Sequence, residues 1–592
     1  MTSSTLDITP RTTIWGAVSN TEPAPDYTAA GQAFQRATRP GYHTWLEHVR
    51  AAAGCTRPIR LVGRIHTVEA GTGRILGTGD TASMPDGAIY KGCGNRRGTV
   101  CPSCAQTYQR DAYQLLRAGL VGGKGVPATV SRHPALFVTL TAPSFGAVHT
   151  RTIGRHTCLD RRRCDCRPDP CHARREHGQC ERGRPAVCWA RHPVGDPLLG
   201  QPLCLDCYDY YHHVVWNHHA GELWRRTKQA AERHLATLAR RRGIPSVTVY
   251  SGGGTPRRVP PVQISHGKAA EFQTRGAVHF HALLRLDGVH PTNPHAVIPP
   301  PAGIGVDDLA DVIAHAVAQV VFTTPAHPDR PEGWLLRWGE QVDVRPITLT
   351  GHGEVTDSMV AGYLAKYATK STEATGHRST RLNPDTIGEH ADPDGGHVAR
   401  LINACWHLGS PIHTPTPLRD RPRRPRPATR LRPPWTCPAC GTRTRLAACP
   451  TCPQPPVVDT HVSPTHSGNP YIGLRRWAHM LGFGGHFLTK ARRYSITFRL
   501  LRDARITFRR ADTTGDTSGP GQAIRTAEHT TEETTLIVGT LTFAGTGWHT
   551  LGDALLANTS AAHARARHAA GREELAHETG TTLRTGALPA AA

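Results

Sequence analysis

The spacing of hydrophobic and polar residues changes repeatedly along the 592-residue chain, and each change marks an element. ALFVTLTAPS (135–144) alternates β-branched and small positions and closes on proline, which predicts a strand. WNHHAGELWRRTKQAAERHLATLARRRG keeps a helical period, predicting a helix over roughly 208–242. Strand-like runs follow at 246–250 and 261–265. EFQTRGAVHFHALLRLDG (271–288) then reads as strand, turn and strand, with Gly276 in the turn. Residues 306–322 look helical, QVDVRPIT (341–348) looks like a strand, and a further helix is expected at about 356–371. A cysteine knuckle runs into a helical pattern within 91–120. Near the C-terminus, TTLIVGTLTFAG predicts a strand followed by a helix. Residues 1–90 carry no clear period.

Composition interrupts this pattern in three places. Residues 146–207 are irregular and crowded with Cys, His and Arg. PIHTPTPLRDRPRRPRPATRLRPP (411–434) is too rich in Pro and Arg to pack a core and reads as a linker or basic tether. A compact cysteine module follows at 437–452, and then a basic stretch with interleaved aromatics whose part 475–498 is a candidate for duplex contact. The alternative for that stretch is an ordinary packed amphipathic region.

Lys and Arg total 70 against 46 Asp and Glu, a net charge of +24, which favours a polyanionic partner such as nucleic acid. No run of about 18 apolar residues is present, so no membrane helix is expected. The N-terminal stretch has neither the basic lead nor the apolar core of a secretory signal. A soluble cytoplasmic protein is therefore expected, and its 17 cysteines are better read as metal ligands than as disulfides. There is no phosphate-binding loop of the Gly-x-x-x-x-Gly-Lys type, which argues against an intrinsic ATPase or helicase; no small-molecule substrate is expected.

Within AGYLAKYATKS, Tyr363 and Tyr367 are four apart, and each is followed three residues later by a lysine, Lys366 and Lys370. On a helix both phenols project from one face. Such a stripe is usually core packing, and a reading as two nucleophiles needs partners elsewhere. In VHFHALLRL, His279 and His281 lie two apart on an apolar strand, so both imidazoles face one side. Buried in that setting they are costly unless ligated or hydrogen-bonded. If 271–281 forms a hairpin centred near Arg275 and Gly276, Glu271 stands opposite His279 on the same face. Two imidazoles and a carboxylate suit Mg²⁺ or Mn²⁺ with a phosphate substrate.

FVTLTAPS, HFH and YLAKYATK together resemble the three motifs of the HUH endonuclease superfamily. The doubled tyrosine resembles the two-tyrosine initiators of rolling-circle replication. CGNRRGTVCPSCA, EFQTRGAVHFHALLRLDG and RRWAHMLGFGGHFLTKARRYS resemble the RepSA-like initiators of actinobacterial plasmids and integrative elements, in blocks scattered over roughly 90–510. The resemblance implies an α+β fold in which a central antiparallel sheet carries the metal, with helices on one side. It also implies a tyrosine nickase that cuts and rejoins single-stranded origin DNA through a 5′-phosphotyrosine. Tyr367 is favoured for the first cut, and Lys366 and Lys370 would lower the phenol pKa or neutralise developing charge, the alternative for one of them being a solvated surface lysine. Host helicase and DNA polymerase are the implied partners. The nucleophile follows the histidines, an order that favours an initiator over a conjugative relaxase or a transposase. A non-catalytic zinc-rich DNA-binding regulator is the reading from another class. The domain plan is then an unassigned 1–90, a nickase domain at 91–375 with its Cys/His-rich insert at about 146–207, a connector at 376–436, a zinc-ribbon-like module at 437–455, the basic aromatic segment at 456–510 and a Thr/Ala-rich 511–592.

Cys437, Cys440, Cys449 and Cys452 form two knuckles at structural-zinc spacing. Cys101 with Cys104 and Cys204 with Cys207 are two more, expected to share one Zn²⁺ across the insert with Cys93 as a competing ligand. Cys158, Cys164, Cys166, Cys171, Cys180 and Cys188 between them suggest a further site of unresolved membership.

Overall fold

The computed structural model describes residues 28–69, 72–158, 166–173, 179–180, 182–183, 186–250, 255–347, 357–369, 380–412, 435–436, 440–444, 469–513 and 535–585. In chain order the main helices are α1 (Ala29–Ala37), α2 (Tyr42–Val49), α3 (Pro102–Val121), α4 (Tyr210–Arg241), α5 (Val306–Gln319), α6 (Asp357–Tyr367), α7 (His397–Leu408), α8 (Phe498–Thr513) and α9 (Leu551–Thr585). The main strands are β1 (Ile59–Glu69), β2 (Ile75–Asp80), β3 (Ile89–Lys91), β4 (Ala135–Leu140), β5 (Val262–Phe272), β6 (Val278–Gly288), β7 (Val342–Pro346), β8 (Leu488–Lys490) and β9 (Thr535–Thr546). The chain divides into two compact units, one comprising Met1–Tyr108 with Glu528–Ala592 and the other Gln109–Ala527. No helix among the described residues is long and apolar enough to cross a membrane.

The first unit joins the two ends of the chain. β1 pairs antiparallel with β9 along its whole length and with β2 and β3 on its other edge. Trp45, Val49, Tyr90 and Ala557 form its core. Arg36 of α1 bridges Asp86 at 2.9 Å and the buried Asp553 of α9 at 2.7 Å, which fixes the C-terminal helix to the N-terminal one. The sequence had placed these regions in separate stretches, and it had put Cys93, Cys101 and Cys104 with the nickase residues. The structure puts them in this first unit.

The second unit is built on a five-stranded antiparallel sheet of order β7-β4-β6-β5-β8. β6 is the middle strand, and its run of Val, Phe, Ala and Leu is buried on both faces. Helices cover both faces, not one as the resemblance implied. On one face Leu136, Val138, Phe280, Leu284 and Leu286 pack against α4, α5 and α7. On the other, Ala135, Ala269 and Leu283 meet Leu116 and Leu120 of α3 and Val360, Ala361, Leu364 and Ala365 of α6. Each large side chain buried here contributes about 1.5–3 kcal/mol. The physical reason for two-sided cover is visible in the strands, because both alternating sets of β6 side chains are apolar and both need burial.

The β5–β6 hairpin turns through Gly276 at φ 84°, a left-handed conformation, and a Cβ there would meet Leu481 Cδ1 at 2.8 Å. Asn217 of α4, fully buried, donates to Gly276 O (3.0 Å) and Leu481 O (2.8 Å) and accepts from Val278 N (3.0 Å). Arg275 donates to Ala142 O and Pro143 O, both at 3.0 Å, tying the turn to the end of β4. The segment considered for duplex contact is largely packed: Tyr494 is fully buried, Phe483 and Phe487 belong to the core, and Leu488–Lys490 is the edge strand β8.

Candidate functional site

The hairpin register pairs Glu271 with His279 and Ala269 with His281, as the alternation of the two strands requires. Glu271, His279 and His281 therefore converge on one face near the turn. His279 Nε2 lies 2.8 Å from His281 Nε2, and Glu271 Oε2 lies 3.2 and 3.5 Å from the two nitrogens. Three cis positions of an octahedral ion with ligands near 2.1 Å are about 3 Å apart, so this donor triangle fits a small divalent cation and leaves one hemisphere for oxygen ligands. Burial first, and then the neighbouring His279, depresses the pKa of His281, with Glu271 acting in the opposite direction; the neutral imidazole favoured is the form that ligates.

Thr139 of β4 stands opposite His281, and its Oγ1 lies 3.1 Å from His281 Nδ1. That contact fixes the ring so that Nε2 faces Glu271, the usual task of an outer partner to a ligating histidine. Phe137, two residues earlier on the same face, stacks on the His281 ring at 5.9 Å. The sequence reading used FVTLT only as a motif. The alternation of β4 already placed Phe137 and Thr139 on one face, and the missing information was the pairing of Thr139 with His281.

The helix α6 lies over this face. Asp357 in its first turn pairs with Arg117 of α3 at 3.1 Å. Its buried stripe of Val360, Ala361, Leu364 and Ala365 sets Tyr363 and Tyr367 beside the histidines. Tyr363 Oη is 3.5 Å from His281 Nε2. The two phenol rings pack edge to face at 4.4 Å, and their centroids lie 4.9 Å (Tyr363) and 5.6 Å (Tyr367) from that of His281. Burial first, then Tyr367 and Glu271, pushes the Tyr363 phenol well above its ordinary pKa, so it is protonated at neutral pH. Lys366 is exposed, and the groups that set the Tyr363 shift are the tyrosine and carboxylate just named. Lys370 lies outside the described residues.

A profile of the RepSA family, described as replication initiator protein, pSAM2, matches residues 41–562. A replication initiator protein of Streptomyces ambofaciens is 35% identical over 556 residues, covering 93% of this chain and 96% of that protein. The chain belongs to the RepSA family of replication initiators. No solved structure matches it.

The match runs through both units, so the cysteine groups outside the sheet lie within the RepSA-like region as well. The expectation that Cys101 and Cys104 share a metal with Cys204 and Cys207 is overturned. Cys101 and Cys104 converge with Cys93 and with Cys55, which the sequence reading passed over, whereas Cys204 and Cys207 converge with Cys180 in the other unit. The physical reason is the hydrogen-bonded loop that carries Cys93 back to Cys55: Cys93 N donates to Cys55 Sγ at 3.3 Å and Asn95 N to Cys93 Sγ at 3.5 Å. Cys55 Sγ and Cys101 Sγ are 3.8 Å apart, and Cys180 Sγ and Cys204 Sγ 3.7 Å. Tetrahedral thiolates on zinc stand about 3.8 Å apart. His156, Cys158 and Cys166 form another convergent group. Cys440 is exposed beside a two-stranded pairing of Trp435–Thr436 with Arg443–Thr444, while Cys437, Cys449 and Cys452 fall outside the described residues, as does Cys164.

Proposed function

We propose that this RepSA-family initiator is an HUH-type tyrosine nickase that opens single-stranded origin DNA for rolling-circle replication. The observation that carries the reading is the placement of a phenol oxygen, Tyr363 Oη, 3.5 Å from a nitrogen of the Glu271–His279–His281 set. Glu271, His279 and His281 would hold Mg²⁺ or Mn²⁺, which would supply charge to polarise the scissile phosphate. Tyr363 Oη forms a bond to phosphorus, the bond from phosphorus to the 3′ oxygen breaks, and the proton lost by the phenol is balanced by the one gained at the 3′ hydroxyl. Burial, Tyr367 and Glu271 raise the pKa of the free phenol, and a cation held by Glu271, His279 and His281 would act in the opposite direction. The sequence reading leaned to Tyr367 for the first cut; the shorter approach to His281 favours Tyr363, with Tyr367 placed one helical turn on for the rejoining step. The free 3′ hydroxyl is then a primer for host polymerase behind a host helicase in the cytoplasm. Zn²⁺ held by Cys55, Cys93, Cys101 and Cys104 would be structural, because four sulfurs close the coordination sphere.

The test is a denaturing gel of end-labelled single-stranded oligonucleotides tiling the element's origin, incubated with the full chain and Mn²⁺. With the label at the 3′ end, a slow-migrating 3′ fragment carrying the protein on its 5′ phosphate is expected, sensitive to protease and absent with EDTA. Binding of the same oligonucleotides with no linked product in any tile would favour the non-catalytic regulator.

A further inference from the structure

Outside the hairpin site and the thiolate groups, four donors from the Cys/His-rich insert converge: His149, Cys171, Cys188 and His192. His149 Nδ1 and His192 Nε2 are 3.2 Å apart, Cys171 Sγ and His149 Nδ1 3.8 Å, and Cys188 Sγ and His192 Nε2 3.5 Å. With Zn–N near 2.1 Å and Zn–S near 2.3 Å, tetrahedral angles require about 3.4 Å between nitrogens and about 3.6 Å between nitrogen and sulfur. The donors are therefore spaced as ligands around one ion, although they come from four points on an otherwise irregular segment.

The outer contacts fit the same ion. His192 is buried, and its Nδ1 donates to Asp196 Oδ2 at 2.8 Å, which leaves Nε2 as the free lone pair. Thr150 N donates to Cys171 Sγ at 3.2 Å, the kind of bond that stabilises a thiolate. The backbone holds the frame: His149 N bonds Gln201 O, Gly200 N bonds His149 O, and His172 and Cys188 exchange both backbone bonds.

We propose that His149, Cys171, Cys188 and His192 bind one structural Zn²⁺ and that Asp196 is the positioning residue for His192. The consequence is local and mechanical. His149, Thr150 and Arg151 form one wall of a cleft of about 1140 Å³ that also includes Thr141, Gln273 and Arg275. Thr141 and Arg275 lie beyond the ends of β4 and of the strand carrying Glu271, so the zinc fixes the wall of a cleft adjoining the sheet end that bears the hairpin site.

The experiment uses the full wild-type chain. Thiols are alkylated with N-ethylmaleimide before and after treatment with a strong chelator, and the modified peptides are mapped by mass spectrometry. Cys171 and Cys188 are both partly exposed, so without an ion they react readily. The expected result is joint protection of Cys171 and Cys188 in the untreated protein and joint labelling after chelation. Labelling of either in the untreated protein, or a disulfide-linked Cys171–Cys188 peptide from reduced cell extract, overturns the proposal. As a second arm, Asp196→Asn is expected to keep one zinc at saturation while raising the chelator sensitivity of this pair by about 10–100-fold, with the Cys55 group unchanged. Unchanged sensitivity of the pair would remove Asp196 from the site.

Discussion

The hairpin site and the four-cysteine site built on Cys55 differ in what they leave open. In the first, two imidazoles and a carboxylate occupy one side of a donor triangle, with half-exposed Tyr363 facing the other. In the second, four sulfurs lie within 4.8 Å of one another, and Cys55 and Cys101 are buried. An open set of hard donors can accept a phosphate oxygen, whereas a closed set of soft donors can only tie chain segments together. The two sites thus differ in donor type and in donor number, and they lie in two different units.

The comparison is broken most severely by His281→Ala. Removing the central nitrogen is expected to lower nicking of a single-stranded origin oligonucleotide by at least about a thousandfold, with affinity within about threefold because phosphate contacts supply most of it. Equal losses in a gel-shift and a nicking assay would argue that the histidines serve DNA binding. Next in size, Tyr363→Phe should depress the first covalent adduct by about a hundredfold while Tyr367→Phe spares it, as read on the same denaturing gel; the reverse order would restore the lean to Tyr367. Thr139→Val keeps the shape of the strand and removes the contact to His281 Nδ1. The Mn²⁺ concentration giving half-maximal nicking should rise about tenfold or more, and a fall in the maximal rate alone would point elsewhere. Smallest for catalysis is Cys55→Ser, which should release about one zinc per chain, measured by elemental analysis, while oligonucleotide nicking stays within about threefold. Loss of nicking in a folded variant would show that bracing and reaction are not separate.

How far these sites were legible follows from the separation of their parts. Glu271, His279 and His281 sit within one hairpin, so period-two alternation and one glycine turn were enough to align them. Tyr363 and Tyr367 were legible as one helical face for the same local reason. Cys55 was not, because it lies 38 positions before Cys93 with the whole of β1 and β2 between them, and no local period connects them. The knuckle rule paired Cys101-x-x-Cys104 with the nearest similar spelling, Cys204-x-x-Cys207, and tertiary structure divides them. Helices on both faces of the sheet were also hidden, since the buried stripes of α3 and α6 are short. Asn217 reads as one polar residue beside the histidines of α4, and its role at the turn appears only when α4 is laid across Gly276.

The pairing of β1 with β9 imposes a wait. A strand near the start of the chain finds its long partner only after almost all the remaining residues have been made. At ribosomal rates of about 5–20 residues per second, that interval is on the order of half a minute to a minute and a half. Throughout it, the edge of β1 that β9 will cover stays open, and any truncated product keeps that edge unpaired. The first unit therefore closes late, only once β9 has been made and can cover that edge.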